Sequence, residues 1–341
     1  MSYEILESYS REKEPSKYEK SYAWRTAIGL QEVDALKPSS YLIETAKSNI
    51  EGDITFEDAQ KLIHAYYNEK CDVAIETEEA DKVAVRIATL LSDKSFTFSL
   101  IQYLSIHKNL FEGIYDHAGK IRDDNISKEE WVLNGDTVIY GSAINLNETL
   151  EYDLEKEKSF NYKGLSMDDI IKHLSRFVAD LWQIHAFGEG NTRTTAVFLI
   201  KYLNKLGFDV TNDTFEKHSW YFRNALVRAN YNNIAKGIHE TTYYLELFFR
   251  NLLLKEDNKL SNREMNVTCK EVQEKLPLTE LSENEQRVVN ILKENGKITL
   301  EEVSLRIGKS LRTVKSIIKG LTIKNLIERV GSKKSGYWKV L

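Results

Sequence analysis

The chain contains few prolines and very few cysteines, and each scarcity excludes a class of protein. Only 3 prolines among 341 residues disfavour a turn-rich β architecture and favour long helices. The 2 cysteines are too few for a disulfide framework or for a zinc site, which needs several ligands at short spacing. No segment approaches the roughly 18 apolar residues of a membrane span, and the N-terminus is too polar for a signal peptide. We therefore expect a mainly α, cytoplasmic protein without a membrane partner.

The length and the charge distribution indicate several domains. A single core rarely grows to 341 residues. Residues 281–341 contain 13 Lys and Arg against 6 Asp and Glu, a net charge of +7, so the rest of the chain carries −12 of the total of −5. Hydrophobic periodicity and polar stretches predict four regions: helices at 1–95, a second helical domain at 96–254, a polar linker at 255–280 and a basic module at 281–341.

One predicted turn contains several side chains of types that take part in catalysis. Four of them lie within the nine residues 185–193 of the stretch HAFGEGNTRT: His185, Glu189, Asn191 and Arg193. A helix is predicted to begin before the turn at Ser166, because Ser166 and Asp169 form a capping box ahead of a broad apolar face. The helix after the turn is apolar nearly all round, as a buried central helix is. The turn is therefore expected between two helices of the core.

The start of the second helix, near Asn191, predicts an anion site. Its first backbone N–H groups have no partner within the helix and lie at the positive end of the helix dipole. Gly188 and Gly190 let the backbone approach a ligand, and Arg193 can bind phosphate oxygens through two N–H groups. Glu189 alone would repel a phosphate, but Mg²⁺ binds a carboxylate and phosphate oxygens together.

His185 completes this set, because an imidazole with a pKa near neutrality can accept a proton from an attacking hydroxyl. The groups together predict phosphoryl or nucleotidyl transfer, in which positioning and charge neutralisation supply most of the catalysis. The alternative is structural, since a single histidine at a helix end is more often a cap than a base. The presence of all four groups on one turn favours catalysis.

The stretch resembles the Fic family signature, His-Pro-Phe-x-Asp/Glu-Gly-Asn-Gly/Lys-Arg-x-x-Arg. Six residues are in register: His185, Phe187, Glu189, Gly190, Asn191 and Arg193. The resemblance covers residues 98–206 and implies a Fic-type helical core that transfers AMP from ATP to a protein hydroxyl. It implies that His185 is the base and that Glu189 holds Mg²⁺. It also implies that Asn191 and Arg193 contact the α- and β-phosphates, with Phe187 beneath a nucleotide-binding turn that includes Gly188 and Thr192.

A second segment predicts a β-hairpin flap. The stretch WVLNGDTVIYG at 131–141 has two β-prone runs on either side of Asn134-Gly135, a dipeptide that favours tight hairpin turns. The resemblance implies that this flap binds the backbone of the target as an added strand. The candidate target-binding residues are Leu133, Asn134, Gly135, Asp136, Thr137 and Val138. Asn230 and Tyr231 lie where the family often builds its adenine pocket, although helix packing and a helix cap explain them equally well.

Three positions depart from the signature, and Ala196 is the most important of them because it replaces the second arginine. In the family that arginine grips the γ-phosphate and pairs with an inhibitory glutamate. The N-terminal region resembles the small helices that carry this inhibitor and offers two candidates, Glu51 in KSNIEG and Asp34 in LQEVDA. Glu51 could equally lie in a solvated turn that ends a helix. The other departures are Ala186 and Thr192, whose backbone amide can still face phosphates.

The basic module predicts a winged helix-turn-helix, with three helices, a short strand, a turn at Gly308 and two final strands. Arg312, Lys315 and Lys319 recur at helical spacing and form a cationic face suited to a DNA major groove. Lys333 and Lys334 would touch phosphates from the wing. The alternative is a module that docks to protein, including the acidic part of this chain.

The sequence thus predicts an enzyme, a protein adenylyltransferase that uses ATP and Mg²⁺ to modify a Ser, Thr or Tyr hydroxyl of a target protein, itself included. The alternative is a DNA-binding transcriptional regulator whose Fic-like half is a degenerate nucleotide sensor. Ala196 and the basic helix motivate that alternative. The target, the nucleotide preference and the oligomeric state stay open, with a homo-oligomer among the candidates.

Overall fold

The structure, a computed structural model, describes residues 15–69, 74–268, 282–323, 326–330 and 337–340. The chain divides into two units, Met1–Cys269 and Lys270–Leu341. The prediction of a mainly α protein is confirmed, because helices contain most of the described residues of each unit. Among the described residues, no helix combines the length and the apolar composition that crossing a membrane requires.

The first unit contains eleven of the described helices. They are α1 (Lys17–Gly29), α2 (Ser40–Glu51), α3 (Phe56–Glu69), α4 (Ile75–Ser92), α5 (Leu100–Phe111), α6 (Leu146–Lys158), α7 (Met167–Ile184), α8 (Asn191–Lys205), α9 (Thr214–Ala229), α10 (Tyr243–Leu254) and α11 (Asn262–Met265). Short 3-10 turns lie at Leu30–Asp34, Trp131–Leu133, Ala143–Asn145 and Ile234–Lys236. Every residue from 191 to 203 is buried, so α8 is the central helix, and α4, α5, α7 and the turn Leu30–Asp34 all pack against it.

Helix α7 begins where its sequence predicts. The Ser166 side chain accepts a hydrogen bond from the backbone N–H of Asp169 at 3.1 Å, which satisfies one of the unpaired donors of the first turn. The apolar positions Ile171, Leu174 and Val178 are fully buried on one side of the helix. Helix α7 therefore packs on α8 and brings its last residue to the start of the predicted turn.

The stretch predicted as a linker is folded in its first part. Residues 262–265 form α11, and Met265 is buried. Backbone N–H of Val267 donates to the carbonyl of Val132, and the Tyr244 hydroxyl donates to the carbonyl of Glu264. Polar composition suggested a linker from residue 255, but these bonds hold the chain on the first unit up to residue 268. Residues 269–281 lie outside the described residues.

The second unit has the predicted winged-helix order. It consists of α12 (Glu283–Glu294), α13 (Leu300–Ile307), α14 (Leu311–Ile323), β1 (Ile327–Val330) and β2 (Tyr337–Val340). Gly308 ends α13 in the left-handed conformation, and β1 pairs antiparallel with β2. The core contains Val288, Val303 and Val314, one from each helix. The predicted short strand at 297–299 is not formed, but the N–H of Trp338 donates to the carbonyl of nearby Gly296.

Candidate active site

The turn between α7 and α8 is closed by two residues with positive φ. His185 ends α7 with φ 50° and ψ 58°, and Gly190 precedes α8 with φ 77°. The left-handed conformation costs a non-glycine residue roughly 1–2 kcal/mol, so other contacts must hold His185 in place. A Cβ atom on Gly190 would lie 2.4 Å from the Phe111 ring, so position 190 excludes a side chain by packing as well as by φ.

The interior of the turn is packed around Phe187, which is fully buried. Its ring stacks on His107 with centroids 3.6 Å apart. His107 accepts a hydrogen bond from the N–H of Gly119 at Nδ1, and its Nε2 lies 3.0 Å from the carbonyl of Glu189, to which it therefore donates. Burial lowers the pKa of His107 from 6.5 to about 4, so the ring is neutral and can make both bonds. His107 thus supports the turn from below.

Asn191 closes the turn with its own side chain. Its Oδ1 accepts from the N–H of Phe187 at 3.0 Å, and its Nδ2 donates to the carbonyl of the same residue at 2.7 Å. The amide predicted to contact the α-phosphate is therefore engaged with backbone. The side chain of Thr192 is engaged too, because its hydroxyl accepts from Trp182 Nε1 at 3.0 Å. The backbone N–H groups of the first turn of α8 remain the groups suited to an anion.

His185 lies deeper than the sequence suggested. Only 4% of the residue is exposed, although a base that takes a proton from a target hydroxyl suggested an accessible position. Its ring packs against Tyr140 at 4.1 Å and against Trp182 at 5.3 Å between centroids. Among the described residues its Nδ1 has no hydrogen-bond partner. Burial, together with the positive charges of Lys128 and Arg122, holds the pKa of His185 well below its usual value of 6.5, so the ring is neutral at pH 7 and can accept a proton.

Arg193 is buried inside an ion-pair cluster. Its Nη2 donates to Glu79 Oε1 at 2.7 Å and its Nη1 donates to Gln31 Oε1 at 3.2 Å. Asp34 Oδ2 lies 2.8 Å from Nε, although no acceptor is aligned with that N–H, so this contact is an ion pair rather than a hydrogen bond. Burial alone would lower the pKa of Arg193. The interactions with Asp34, Tyr115 and Glu79 have a larger opposite effect, so the net pKa of Arg193 is raised. The guanidinium predicted to bind phosphate is therefore bound by carboxylates.

Glu189 is the carboxylate that the sequence assigned to Mg²⁺. It is half exposed, and its Oε2 lies 2.7 Å from the ammonium of Lys128. Among the described residues, no group of three or more His, Cys, Asp and Glu side chains could hold a metal ion. Since Mg²⁺ typically takes only one or two protein carboxylates and completes its shell with phosphates and water, a single Glu189 fits an ion that arrives with a nucleotide.

The two candidate inhibitory residues differ in position. Glu51 lies at the exposed end of α2, next to the left-handed Gly52, and pairs with Lys17 at 2.5 Å. Glu51 thus lies in a solvated turn that ends a helix, which is the alternative to an inhibitory role. Asp34 ends the turn Leu30–Asp34 and contacts Arg193.

The predicted flap forms its turn but not its strands. Asn134 and Gly135 both have positive φ, as the dipeptide predicts. Residues 131–133 form a 3-10 turn, and the N–H groups of Leu133 and Gly135 both donate to the carbonyl of Glu130 instead of to a paired strand. Leu133 and Val138 are buried in the core. Asn134 and Gly135 are exposed, and Asp136 and Thr137 are partly exposed.

Asn230 and Tyr231 pack on neighbouring elements. Asn230 donates to the carbonyls of Ala179 and Leu226, and is buried at the end of α9. The Tyr231 hydroxyl donates to Asp136 at 2.6 Å, which joins it to the flap. Both sets of contacts agree with the structural alternative of packing and capping.

A fully buried carboxylate, missed from the sequence, lies beneath the flap. Glu130 accepts from Arg223 through both oxygens, at 2.7 and 3.2 Å, and from the Tyr140 hydroxyl at 3.1 Å. Burial raises the pKa of Glu130, against the opposing effect of Arg223. Because Tyr140 packs on His185, this cluster supports one side of the imidazole.

Two family models match parts of this chain. Residues 97–203 match the model of the Fic/DOC family. The chain carries a Fic/DOC domain. Residues 281–328 match the model described as winged helix-turn-helix DNA-binding. The two matches cover the central helix with its turn, and most of the second unit.

Curated relatives are distant. The protein adenylyltransferase VbhT of Bartonella schoenbuchensis is 26% identical over 163 residues, which cover 42% of this chain and 33% of that protein. The probable protein adenylyltransferase y4lH of Sinorhizobium fredii is 25% identical over 151 residues, which cover 44% of this chain and 73% of that protein. The chain therefore spans about a third of the length of the first relative. A crystal structure of a Fic family protein from Desulfovibrio desulfuricans G20 gives a TM-score of 0.40 at 14% identity, over 93% of this chain and 87% of that one.

Proposed function

We propose that the first unit transfers AMP from ATP to a hydroxyl group of a target protein. One observation carries this proposal: a buried, neutral imidazole at His185 ends α7 on the same turn that begins α8 with unpaired N–H groups. A neutral imidazole can take a proton, and a helix N-terminus can bind phosphate. The Fic/DOC domain and the two relatives named as adenylyltransferases support AMP transfer over other phosphate chemistry.

In the proposed reaction the target hydroxyl oxygen attacks the α-phosphorus of ATP, and its proton passes to His185. The bond between the α-phosphorus and the bridging oxygen breaks, and pyrophosphate leaves with the electron pair. The N–H groups of Asn191, Thr192 and Arg193 would stabilise the charge that develops on the phosphate. Mg²⁺ bound to Glu189 and the nucleotide would neutralise further charge.

The proposal requires Arg193 to exchange partners. While Asp34 and Glu79 bind its guanidinium, it cannot also contact a β-phosphate. We therefore assign Asp34, with Glu79, as the restraining residues, and not Glu51. Ala196 supplies no second guanidinium in the motif, so Arg193 alone would carry the arginine's role there.

The test measures which phosphate group of labelled ATP becomes attached to protein. Purified protein is incubated with Mg²⁺ and ATP labelled at either the α- or the γ-phosphate, alone and with a cell lysate. We expect protein-bound label from the α-position, with His185→Ala abolishing it and His64→Ala, an exposed histidine on α3, retaining it. Label from the γ-position alone would refute AMP transfer and indicate phosphorylation.

A second candidate function concerns the second unit. Arg312, Lys315 and Lys319 are all exposed on α14, opposite the buried Val314 and Ile318. Together with the winged helix-turn-helix match, this exposed cationic side supports a DNA-binding regulator. Lys333 and Lys334 lie outside the described residues. A salt-dependent gel shift of DNA with the nucleotide left intact would favour this function, whereas release of pyrophosphate from ATP would count against a purely sensory Fic domain.

A further inference from the structure

Arg122 donates hydrogen bonds to backbone carbonyls around the proposed base. Its Nε donates to the carbonyl of His185 at 2.7 Å. Its Nη2 donates to Gly141 at 2.6 Å and reaches Ile184 at 3.4 Å, and its Nη1 donates to Asp124. All four acceptors are carbonyl oxygens, and Arg122 itself is buried.

This use of a guanidinium fits its location. Arginine usually pairs with carboxylates. Here burial lowers the pKa of Arg122, and the negative charge of Asp124 opposes that effect only in part. Ile184 and His185 lie at the C-terminus of α7, where the last carbonyls lack partners in the helix and the dipole is negative. Arg122 therefore supplies charged donors to a helix end that ends on the proposed base.

The same residue also fixes the left-handed conformation of His185. The backbone N–H of Arg122 donates to the carbonyl of Ala186 at 2.9 Å, while its side chain binds the carbonyl of His185. The carbonyls of two successive residues, the strained His185 and the following Ala186, are thus bound by one arginine. Positive φ at a non-glycine residue persists only where the surroundings determine it, and Arg122 provides that determination.

Arg122 connects this helix end to the end of the flap. The N–H of Gly141 donates to the carbonyl of Gln183 at 3.2 Å, and Gln183 Nε2 donates to Ile139 at 2.9 Å. A Cβ atom on Gly141 would lie 2.9 Å from the carbonyl of Ile184, so the two segments are in close contact. Tyr140, the residue between, is the one that packs on the His185 ring.

We infer that Arg122 is the positioning residue of this site, which holds the backbone of His185 and the end of the flap in one fixed relation. This inference rests on the proposed function, because it assigns His185 as the group being positioned. In this role Arg122 acts through the carbonyls of His185 and Gly141 and not directly on nucleotide or target.

The first test reads position without activity. Hydrogen–deuterium exchange of peptides that span residues 183–187 is compared for the wild type, Arg122→Gln and Arg86→Gln. Arg86 is the matched control, because its guanidinium also donates to a backbone carbonyl, that of Leu110, and burial also lowers its pKa. We expect exchange at 183–187 to rise at least tenfold in Arg122→Gln only. Equal exchange in the wild type and Arg122→Gln, or an equal rise in both variants, overturns the inference.

The second test separates positioning from binding. We expect Arg122→Gln to lower kcat for AMP transfer at least tenfold while the KM for ATP stays within twofold, and Arg122→Lys, which keeps the charge, to recover part of kcat. Should Arg122→Gln fail to fold, Arg122→Lys alone must show the intermediate kcat. A wild-type kcat in a folded Arg122 variant overturns the inference. A wild type without transfer but with the predicted exchange pattern refutes the proposed function and leaves the positional role of Arg122 supported.

Discussion

Asp34 Oδ2 lies 2.8 Å from Arg193 Nε, and Glu79 Oε1 lies 2.7 Å from Nη2 of the same guanidinium. Asp34 and Glu79 come from the N-terminal region, whereas Arg193 lies in the first turn of α8. A buried guanidinium needs compensating charge, and both carboxylates supply it from outside the motif. Any phosphate that binds Arg193 must therefore displace one of them.

Removing one of these carboxylates should favour nucleotide. We expect Asp34→Asn and Glu79→Gln each to tighten binding of a non-hydrolysable ATP analogue by about tenfold, or ~1.4 kcal/mol, because phosphate then competes with one charge instead of two. Each variant should also lose about 1–3 kcal/mol of unfolding free energy, since a buried guanidinium loses a charged partner. Calorimetric titration and urea denaturation measure the two effects. Glu51→Gln, on the surface of the same region, should change neither, and unchanged affinity in folded Asp34 and Glu79 variants would contradict the restraint.

Stability should fall in mild acid because of His107. Its pKa is about 4 in the folded chain against 6.5 when unperturbed, so between these values the unfolded chain binds the extra proton. The contribution is complete above pH 6.5 and is lost as the pH falls toward 4, up to about 3 kcal/mol for a shift of this size. Urea denaturation at several pH values should show a steeper loss for the wild type than for His107→Gln, whose amide can accept and donate at similar positions. Parallel pH profiles for the two proteins would exclude this role.

Gly190 should tolerate no side chain. Gly190→Ala combines positive φ with a clash against Phe111, and we expect a loss of about 2–5 kcal/mol, the sum of backbone strain and overpacking. Gly237→Ala is the matched control, because Gly237 has φ +68° with no atom within 4 Å of the added Cβ, so it should lose only the cost of backbone strain, about 1–2 kcal/mol. Thermal and urea unfolding measure both variants. Equal losses would show that the Phe111 contact is not limiting.

The cationic side of α14 should contact phosphates if the second unit binds DNA. Alanine at Arg312, Lys315 or Lys319 should weaken binding to any duplex and reduce the slope of log affinity against log salt by about 1 for each residue. Fluorescence anisotropy at several salt concentrations measures the slope. Lys293→Ala, exposed on α12 of the same unit, is the control. Slopes unchanged in all three variants would point to a protein-docking module.

Elements with a local signal could be predicted from the sequence. The Ser166 cap, the buried helix after the turn and the order of the winged unit all depend on residues within a few positions of one another. The Asn134-Gly135 turn was predictable for the same reason. Its predicted strands do not form, because the N–H groups of Leu133 and Gly135 bind the Glu130 carbonyl in a 3-10 turn, an arrangement that the residue types of this stretch do not distinguish from a hairpin.

Asp34 was a candidate only through the family resemblance, and the other partners of the motif could not be predicted, because they are distant in sequence. Gln31 and Glu79 lie 162 and 114 residues from Arg193, and no spacing rule links them. Arg122 belongs to no motif recognised in the sequence. It also lies 63 residues from His185, whose carbonyl it binds. The burial of His185 was missed for a similar reason, since it depends on Tyr140 from another segment.

The N-terminal carboxylates and a bound polyphosphate compete for Arg193, so the effect of each on the binding of the other is reciprocal. One guanidinium cannot hold the N-terminal carboxylates and a polyphosphate at once, so each ligand weakens the other by the same factor. A protein that binds α1–α4 and separates Asp34 or Glu79 from Arg193 would raise the affinity for ATP. Saturating ATP would in turn weaken the packing of those helices on the motif. The motif would then report the state of a region far from it in the chain.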